Sequence, residues 1–251
     1  VLNYGSQTII PKEFESLVKN RNAFSIKPFL RAYDSILKED IFDSVNELPF
    51  VIVGSGLAAI EVSYALRKRW RDRPLKLLCD SRKINNTILK SLRNSNIDLV
   101  EKLNFDYGKI LLCTGNTSPL WAQKKLLDSD SHGRIITNQN LQIKSFSGIF
   151  AVGDCAVVGS AKRPASGVFA VKVVNTLVQN LKKDIEGRSL KKWFPQKIGL
   201  QIVNIFPSHH PKAFAIYRNF VFGPSFIFWI LKHKIDLNFI KKFRSKRLIM
   251  K

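Results

Sequence analysis

Gly54, Gly56 and Ala59 stand at the spacing of a dinucleotide-binding turn, and Asp80 follows about 20 residues after Ala59. Each type has a task in that chemistry. Gly54 permits a tight turn, Gly56 lets the backbone approach a pyrophosphate, and the small Ala59 lets a helix pack closely on a strand. Ser55 sits between the glycines, inside the turn. The helix that follows offers unpaired N–H groups and the positive end of its dipole to phosphates. Asp80 can accept the ribose hydroxyls of NAD and repels a 2′-phosphate, which favours NADH. Arg82 and Lys83 come directly after it and can instead receive that phosphate.

A second acid, Asp154, follows Gly153 at the end of the apolar run GIFAV. An acid at the C-terminal end of a parallel strand points into the usual ligand crevice of an α/β sheet, although a capping or turn role is the alternative. Ser166 and Gly167 open a helical pattern nearby and make a second anion-favouring helix start. His209-His210 is a metal pair by type, but adjacent histidines among prolines read better as a solvated loop, so no metal site is expected. Cys79, Cys113 and Cys155 are far apart, each in an apolar run and without a CxxC. They read as buried structural thiols of a reducing compartment, not as a zinc site or a vicinal redox pair.

The elements that must position these residues follow from periodicity. FVIV (50–53) behind Pro49 is a short buried parallel strand, and a helix runs from the glycine turn into Arg67, Lys68 and Arg69. LKLLCD leads to Asp80 as a second strand, Asn86 to Asn94 is a helix and NIDLV a third strand. KILLCTG (109–115) is expected at the end of this parallel sheet. Before it, residues 7–48 read as a polar connector, with Phe29, Ala32, Tyr33, Ile36 and Leu37 at helical spacing. After it, 116–144 is a polar excursion with short strands, Ile149 to Val152 is a buried strand, and Ala165 to Leu181 is a helix. Val168, Val171, Val174, Leu177, Val178 and Leu181 are its expected apolar face. The tail begins near Pro195 with β-like runs and ends aromatic and basic. In it, Lys232 and Asp236 are spaced for a surface ion pair.

With 251 residues and 45% hydrophobic content, the chain is long enough for one large domain or two modest ones. The net charge of +22 suits anionic partners such as nucleotides or an acidic membrane face, while no nucleic-acid-binding signature accompanies it. There is no signal peptide, and no apolar run reaches the 18 or so residues of a spanning helix. The expected location is cytoplasmic. Phe226, Phe228, Trp229, Ile230 and Leu231 beside Lys232, Lys234, Lys241, Lys242, Arg244, Lys246 and Arg247 also suit peripheral contact with an inner membrane face.

Taken together, GSGLAAIEVS, LLCTGN, FAVGDCA and RPASGVFAVKVVNTLVQNL resemble the pyridine nucleotide-disulfide oxidoreductase superfamily. The closer resemblance is to its NADH-dehydrogenase-like branch, especially the flavoprotein module joined to selenide, water dikinase. Trp229, Lys232, Ile235, Asp236 and Phe239 match that branch's terminal segment. The resemblance implies an α/β fold of doubly wound Rossmann-like sheets. A NAD(P)-binding domain (49–115) would be inserted between FAD-domain pieces (1–48 and 116–194), with a small α+β cap (195–251). It implies an enzyme with FAD and NAD(P)H as cofactors, a small electron acceptor such as a quinone, and a fused or associated selenide, water dikinase domain. The alternative is a nucleotide-binding module of such a fusion without turnover.

By the same resemblance, Gly54, Ser55, Gly56, Ala59, Asp80, Arg82 and Gly115 would bind NAD(P)H, and Glu61 would lie near the nicotinamide. A first-turn helix acid is the plainer reading of Glu61. Gly5, Ser6, Gly153, Asp154, Ser166, Gly167 and Val168 would bind FAD, with Asp154 on the ribityl chain and the helix start at the flavin pyrimidine edge. The chain has no first FAD strand-turn-helix and opens on Val1 in a strand-like run, so a fragment of a longer FAD domain is expected. The redox cysteine pair of the disulfide reductases is also missing, as in the closer branch. The stretch from Val100 to Lys109 is short where relatives carry a hairpin.

Overall fold

The computed structural model describes residues 1–40, 47–119, 127–159, 166–196, 198–205 and 210–244, with side chains to residue 241. The chain forms two compact units, each assembled from three segments. One comprises Val1–Ser16, Phe24–Ser35 and Thr114–Gly199; the other comprises Leu17–Ala23, Ile36–Cys113 and Leu200–Lys251. Short α1 (Glu15–Lys19) and the longer α2 (Phe29–Asp40) lie where the chain passes between them.

The second unit is organised around β3 (Phe50–Val53), whose first three residues are fully buried. A strand covered on both faces needs such an unbroken apolar run. On one side β3 pairs in parallel with β4 (Leu75–Leu78), which pairs with β5 (Ile97–Val100); on the other it pairs with β6 (Ile110–Leu112). KILLCTG is therefore not the last strand, because β2 (Ala23–Ser25) lies outside β6 in the order β2-β6-β3-β4-β5. Three residues in a polar stretch give too short a pattern to announce an edge strand. Helix α3 (Leu57–Arg69) follows the glycine turn, and α4 (Asn86–Asn94) starts on Asn85, whose side chain accepts from the Thr87 amide at 2.9 Å.

A buried polar cluster fastens the C-terminal end of α2 in this unit. The Arg73 guanidinium lies over the rings of Phe50 (5.2 Å) and Trp70 (4.6 Å) and bonds Glu39 at 2.9 Å. Asp40 accepts from the Trp70 indole at 2.8 Å and from Arg69. The tail adds an antiparallel sheet of β10 (Gln201–Ile205), β11 (Lys212–Tyr217) and β12 (Phe220–Ser225), then α6 (Phe226–Arg244). Strand β10 packs on α3, and α6 packs on β11. Lys232 of α6 pairs with Glu61, not with Asp236 as its spacing suggests. A partly buried carboxylate on α3 outcompetes an exposed one on the same helix.

In the first unit, β1 (Gln7–Thr8) pairs with β7 (Asn116–Thr117), and β8 (Ile135–Thr137) pairs in parallel with β9 (Ala156–Val158). Around Ile149–Val152 there is no continuous strand but single bridges, Leu2 to Ala151 in parallel and Phe150 to Gln142. Helix α5 runs Gly167–Ile185, and its buried residues are Phe169, Val173, Thr176 and Asn180. Leu177 and Leu181 pack toward the core as expected, whereas Val171, Val174 and Val178 are about half-exposed. Asn180 explains that rotation. Its amide donates to the carbonyls of Asn140 and Lys191 (2.9 Å each) and accepts from the Lys191 amide at 2.8 Å. These bonds fix which side of the helix faces inward. Ala165, His209, and the side chains of Lys242, Arg244, Lys246 and Arg247 lie outside the described residues.

Candidate functional site

In the second unit, β3 ends in Gly54 with φ +143°. A Cβ at Gly54 would lie 2.5 Å from the Cys113 carbonyl oxygen, so close packing of β3 against β6 requires glycine. Gly56 caps α3 with an ordinary extended φ of −86°, is exposed, and would meet nothing within 4 Å if given a Cβ. The space in front of the helix start is open, as a pyrophosphate needs. Ala59 is fully buried under the turn. Ser55 reaches across to the neighbouring strand, where its hydroxyl accepts from the Asp80 amide at 2.9 Å. Gly54, Ser55, Gly56, Ala59 and Asp80 thus converge at the C-terminal ends of β3 and β4.

Asp80 is held by its own neighbours. Arg82 donates to it through Nε (2.9 Å), Nη2 (3.2 Å) and the backbone amide (3.2 Å), and Lys83 stands 3.7 Å away. The Arg82 hydrogen bond is the main reason the Asp80 carboxyl lies below the usual carboxylate range. Glu61, one turn into α3, accepts from Lys232 Nζ and from the Asn204 amide at 3.5 Å, both through Oε1. Sequence reasoning missed Asn204, and it placed Lys232 on Asp236.

Gly115 belongs to the first unit, where its carbonyl accepts from the Ile9 amide at 3.3 Å. The residues assigned to FAD also fall in that unit. Gly5 (φ +73°) and Gly153 (φ +80°) both adopt the left-handed conformation, and each precedes a polar residue, Ser6 and Asp154. At that φ any side chain on Gly153 would strain the backbone, so this turn also favours glycine. The Ser6 hydroxyl donates to Asp154 Oδ2 at 3.3 Å. Lys27 completes the group by donating from Nζ to Asp154 Oδ2 at 2.7 Å and to Ser6 Oγ at 2.9 Å. No sequence motif pointed to Lys27. Helix α5 packs on the Gly153–Cys155 turn. Ser166 caps α5 by accepting from the Val168 amide at 3.4 Å, and a Cβ on Gly167 would meet nothing within 4 Å. The Ser6 hydroxyl and the Asp154 carboxylate are groups that could bond a polyol, and with the helix start they are the residues that could hold a ribityl phosphate.

All three cysteines are buried and unpaired. Burial pushes the Cys113 thiol up to about 12 and raises Cys79 and Cys155, so none is poised as a thiolate. Among the described residues no His, Cys, Asp and Glu side chains gather into a metal-binding group, and no helix is long and apolar enough to cross a membrane.

No protein-family model matches the chain. Among curated proteins it is similar to a probable NADH dehydrogenase of Dictyostelium discoideum, 28% identical over 52% of this chain and 39% of the relative. It is also similar to ferroptosis suppressor protein 1 of Homo sapiens, 24% identical over 78% of this chain and 58% of the relative. The chain thus spans between 39% and 58% of the lengths of these two relatives. Among solved structures, the sulfide:quinone oxidoreductase of Aquifex aeolicus aligns over 96% of this chain and 68% of that one, with a TM-score of 0.66 and 16% identity. The water-forming NADH oxidase of Lactobacillus brevis, bound to NADH, aligns over 84% and 58%, with a TM-score of 0.55 and 16% identity. The fold is the mixed α/β, Rossmann-like architecture that these oxidoreductases share.

Proposed function

We propose that the chain is part of an FAD-dependent NAD(P)H oxidoreductase. A hydride would pass from nicotinamide C4 to flavin N5, and the electrons would leave to a small acceptor such as a quinone. The observation that carries this reading is the Ser55–Asp80 hydrogen bond across the open turn before α3. It joins the phosphate-binding and ribose-binding parts of one dinucleotide half-site. The NADH dehydrogenase and NADH oxidase likenesses support the same reading. When bound, FAD supplies the hydride-accepting ring; the chain's own residues bind and orient. Gly56 and the α3 start would receive the NAD(P)H pyrophosphate, Asp80 the ribose diol, and Glu61 the nicotinamide end. Ser6, Asp154 and the α5 start would hold the ribityl and pyrimidine edge of FAD.

The test uses the protein at its natural full length. Its visible spectrum is recorded, then NADH is added without oxygen. A flavin band that bleaches is the expected result; a protein that takes up no flavin overturns the reading. NADH is the favoured reductant in this reading because Asp80, as a ribose acceptor, would repel a 2′-phosphate.

The tail supports a membrane-surface role as part of this proposal. Phe226, Ile227 and Leu231 of α6 are 47%, 72% and 40% exposed, beside Lys234 and Lys241. Exposed aromatic and aliphatic residues next to lysines suit the interface of an anionic bilayer. Co-sedimentation with vesicles rich in phosphatidylserine, lost in Ile227→Glu, tests it; no binding to such vesicles overturns it.

A further inference from the structure

Asp154 and Ser6 are tied to a third residue that no motif assigns. Lys27 Nζ is 2.7 Å from Asp154 Oδ2 and 2.9 Å from Ser6 Oγ, with side-chain exposures of 34% for Lys27 and 20% for Asp154. The lysine is itself anchored, since its backbone amide donates to the Thr8 hydroxyl at 3.0 Å, and Thr8 is buried in β1. One ammonium therefore spans both left-handed turns and neutralises the only acid among the three side chains.

We infer that Lys27 is a positioning residue for the flavin, resting on the FAD reading above. Two physical effects follow from its place. First, it fixes the Asp154 rotamer by holding Oδ2, while Oδ1 takes no hydrogen bond among the described residues and stays available to a ribityl hydroxyl. An acceptor already oriented binds without the entropy cost of ordering it. Second, it cancels the Asp154 charge. Reduced flavin carries negative charge near N1, and an uncompensated carboxylate close by would disfavour that form. Lys27 thus shifts the oxidised–reduced balance toward the reduced flavin, through Asp154 and without touching the reacting atoms.

The experiment uses the full-length protein, its Lys27→Met, Lys27→Gln and Lys27→Arg variants, and FAD as the probe. FAD affinity is read by fluorescence titration, the two-electron midpoint potential by equilibration with a reference dye, and thermal stability without FAD alongside. Loss of a charge-assisted hydrogen bond should weaken FAD binding by about tenfold in Lys27→Met. A further tenfold loss in preference for the reduced form lowers the midpoint by about 30 mV. Lys27→Gln keeps a donor without the charge, so it should recover part of the affinity but not the potential; Lys27→Arg should recover both. An unchanged midpoint in Lys27→Met and Lys27→Gln, whatever happens to stability, overturns the inference and leaves Lys27 a structural tie. A wild-type protein that binds no FAD overturns the flavin reading itself. The two failures are therefore distinct.

Discussion

The Asp80 amide donates to the Ser55 hydroxyl at 2.9 Å, so the tip of the glycine turn and the acid one strand away are directly linked. The link is worth about 1 kcal/mol, the net value of an ordinary hydrogen bond. Ser55→Ala should fold, lose about that much stability, and, on the proposed NAD(P)H site, bind NADH about fivefold more weakly because Asp80 would no longer be held in register with the glycine turn. Isothermal titration with NADH beside a urea melt checks both. Weakened stability with unchanged NADH affinity would mean the bond serves only the sheet.

Arg82 complicates coenzyme choice. It occupies both Asp80 oxygens, so in the proposed site a ribose diol would compete with the guanidinium, and the same cation would receive a 2′-phosphate. Asp80→Ala should therefore raise the ratio of NADPH to NADH affinity by about tenfold, equivalent to about 1.4 kcal/mol. Arg82→Ala should lower it. Parallel titrations with the two coenzymes decide the matter, and an unmoved ratio in both variants would remove Asp80 from ribose recognition.

The buried Arg73–Glu39 pair predicts a stability effect of another size. The Arg73 side chain is 0% exposed and Glu39 is 10% exposed. Glu39→Ala leaves a buried guanidinium without its carboxylate, which typically costs about 3–5 kcal/mol. Arg73 also rests on two aromatic faces, so Arg73→Met, which keeps some of that packing, should cost less. Chemical denaturation of the two variants gives the comparison.

Acid sensitivity follows from Asp40. The Arg69 hydrogen bond is the chief cause that holds its carboxyl below the ordinary carboxylate range; burial opposes it and the Trp70 indole adds to it. A depressed folded-state pKa gives stability that is fully present above the unfolded value, about 3.9, and that is lost as pH falls through the folded value. Asp40→Asn should thus be less stable than wild type at neutral pH, and the gap should close as pH drops below about 4. Urea melts at several pH values measure that convergence. A gap independent of pH would assign the effect to packing.

The glycine unit was legible in the sequence because its constraints are local. Gly54 cannot carry a Cβ, Gly56 caps the helix that follows, and Asp80 lies two residues past the next strand. The extent of α4, Asn86 to Asn94, was legible too, and the structure adds Asn85 as its cap. What periodicity could not give was rotation and long-range pairing. The valine stripe of α5 looked like its core face, yet Asn180 turns it outward by bonding backbone 40 residues before it and 11 residues after it. Edge strand β2 was too short to show. Lys27 sits 127 residues from Asp154 and Lys232 sits 171 from Glu61, and no spacing rule reaches that far.

The pairing of Glu61 with Lys232 makes the last prediction. Lys232 Nζ and the Asn204 amide both bond Oε1, which leaves Oε2 without a hydrogen bond among the described residues. If the carboxylate serves a nicotinamide carboxamide, the lysine serves it by fixing which oxygen is offered. Glu61 is 38% exposed and Lys232 22%, so the pair contributes at most about 1 kcal/mol to stability, and neither Glu61→Gln nor Lys232→Met should move the melting temperature far. Each should nevertheless raise the NADH concentration for half-maximal flavin reduction by about tenfold, a loss of about 1.4 kcal/mol. The double variant should be no worse than either single one, because both remove the same contact, and residues in contact fail additivity by about 0.5–3 kcal/mol. Additive losses would instead mean that Lys232 and Glu61 act separately, and an unchanged half-maximal concentration in Glu61→Gln would return Glu61 to a purely structural role on α3.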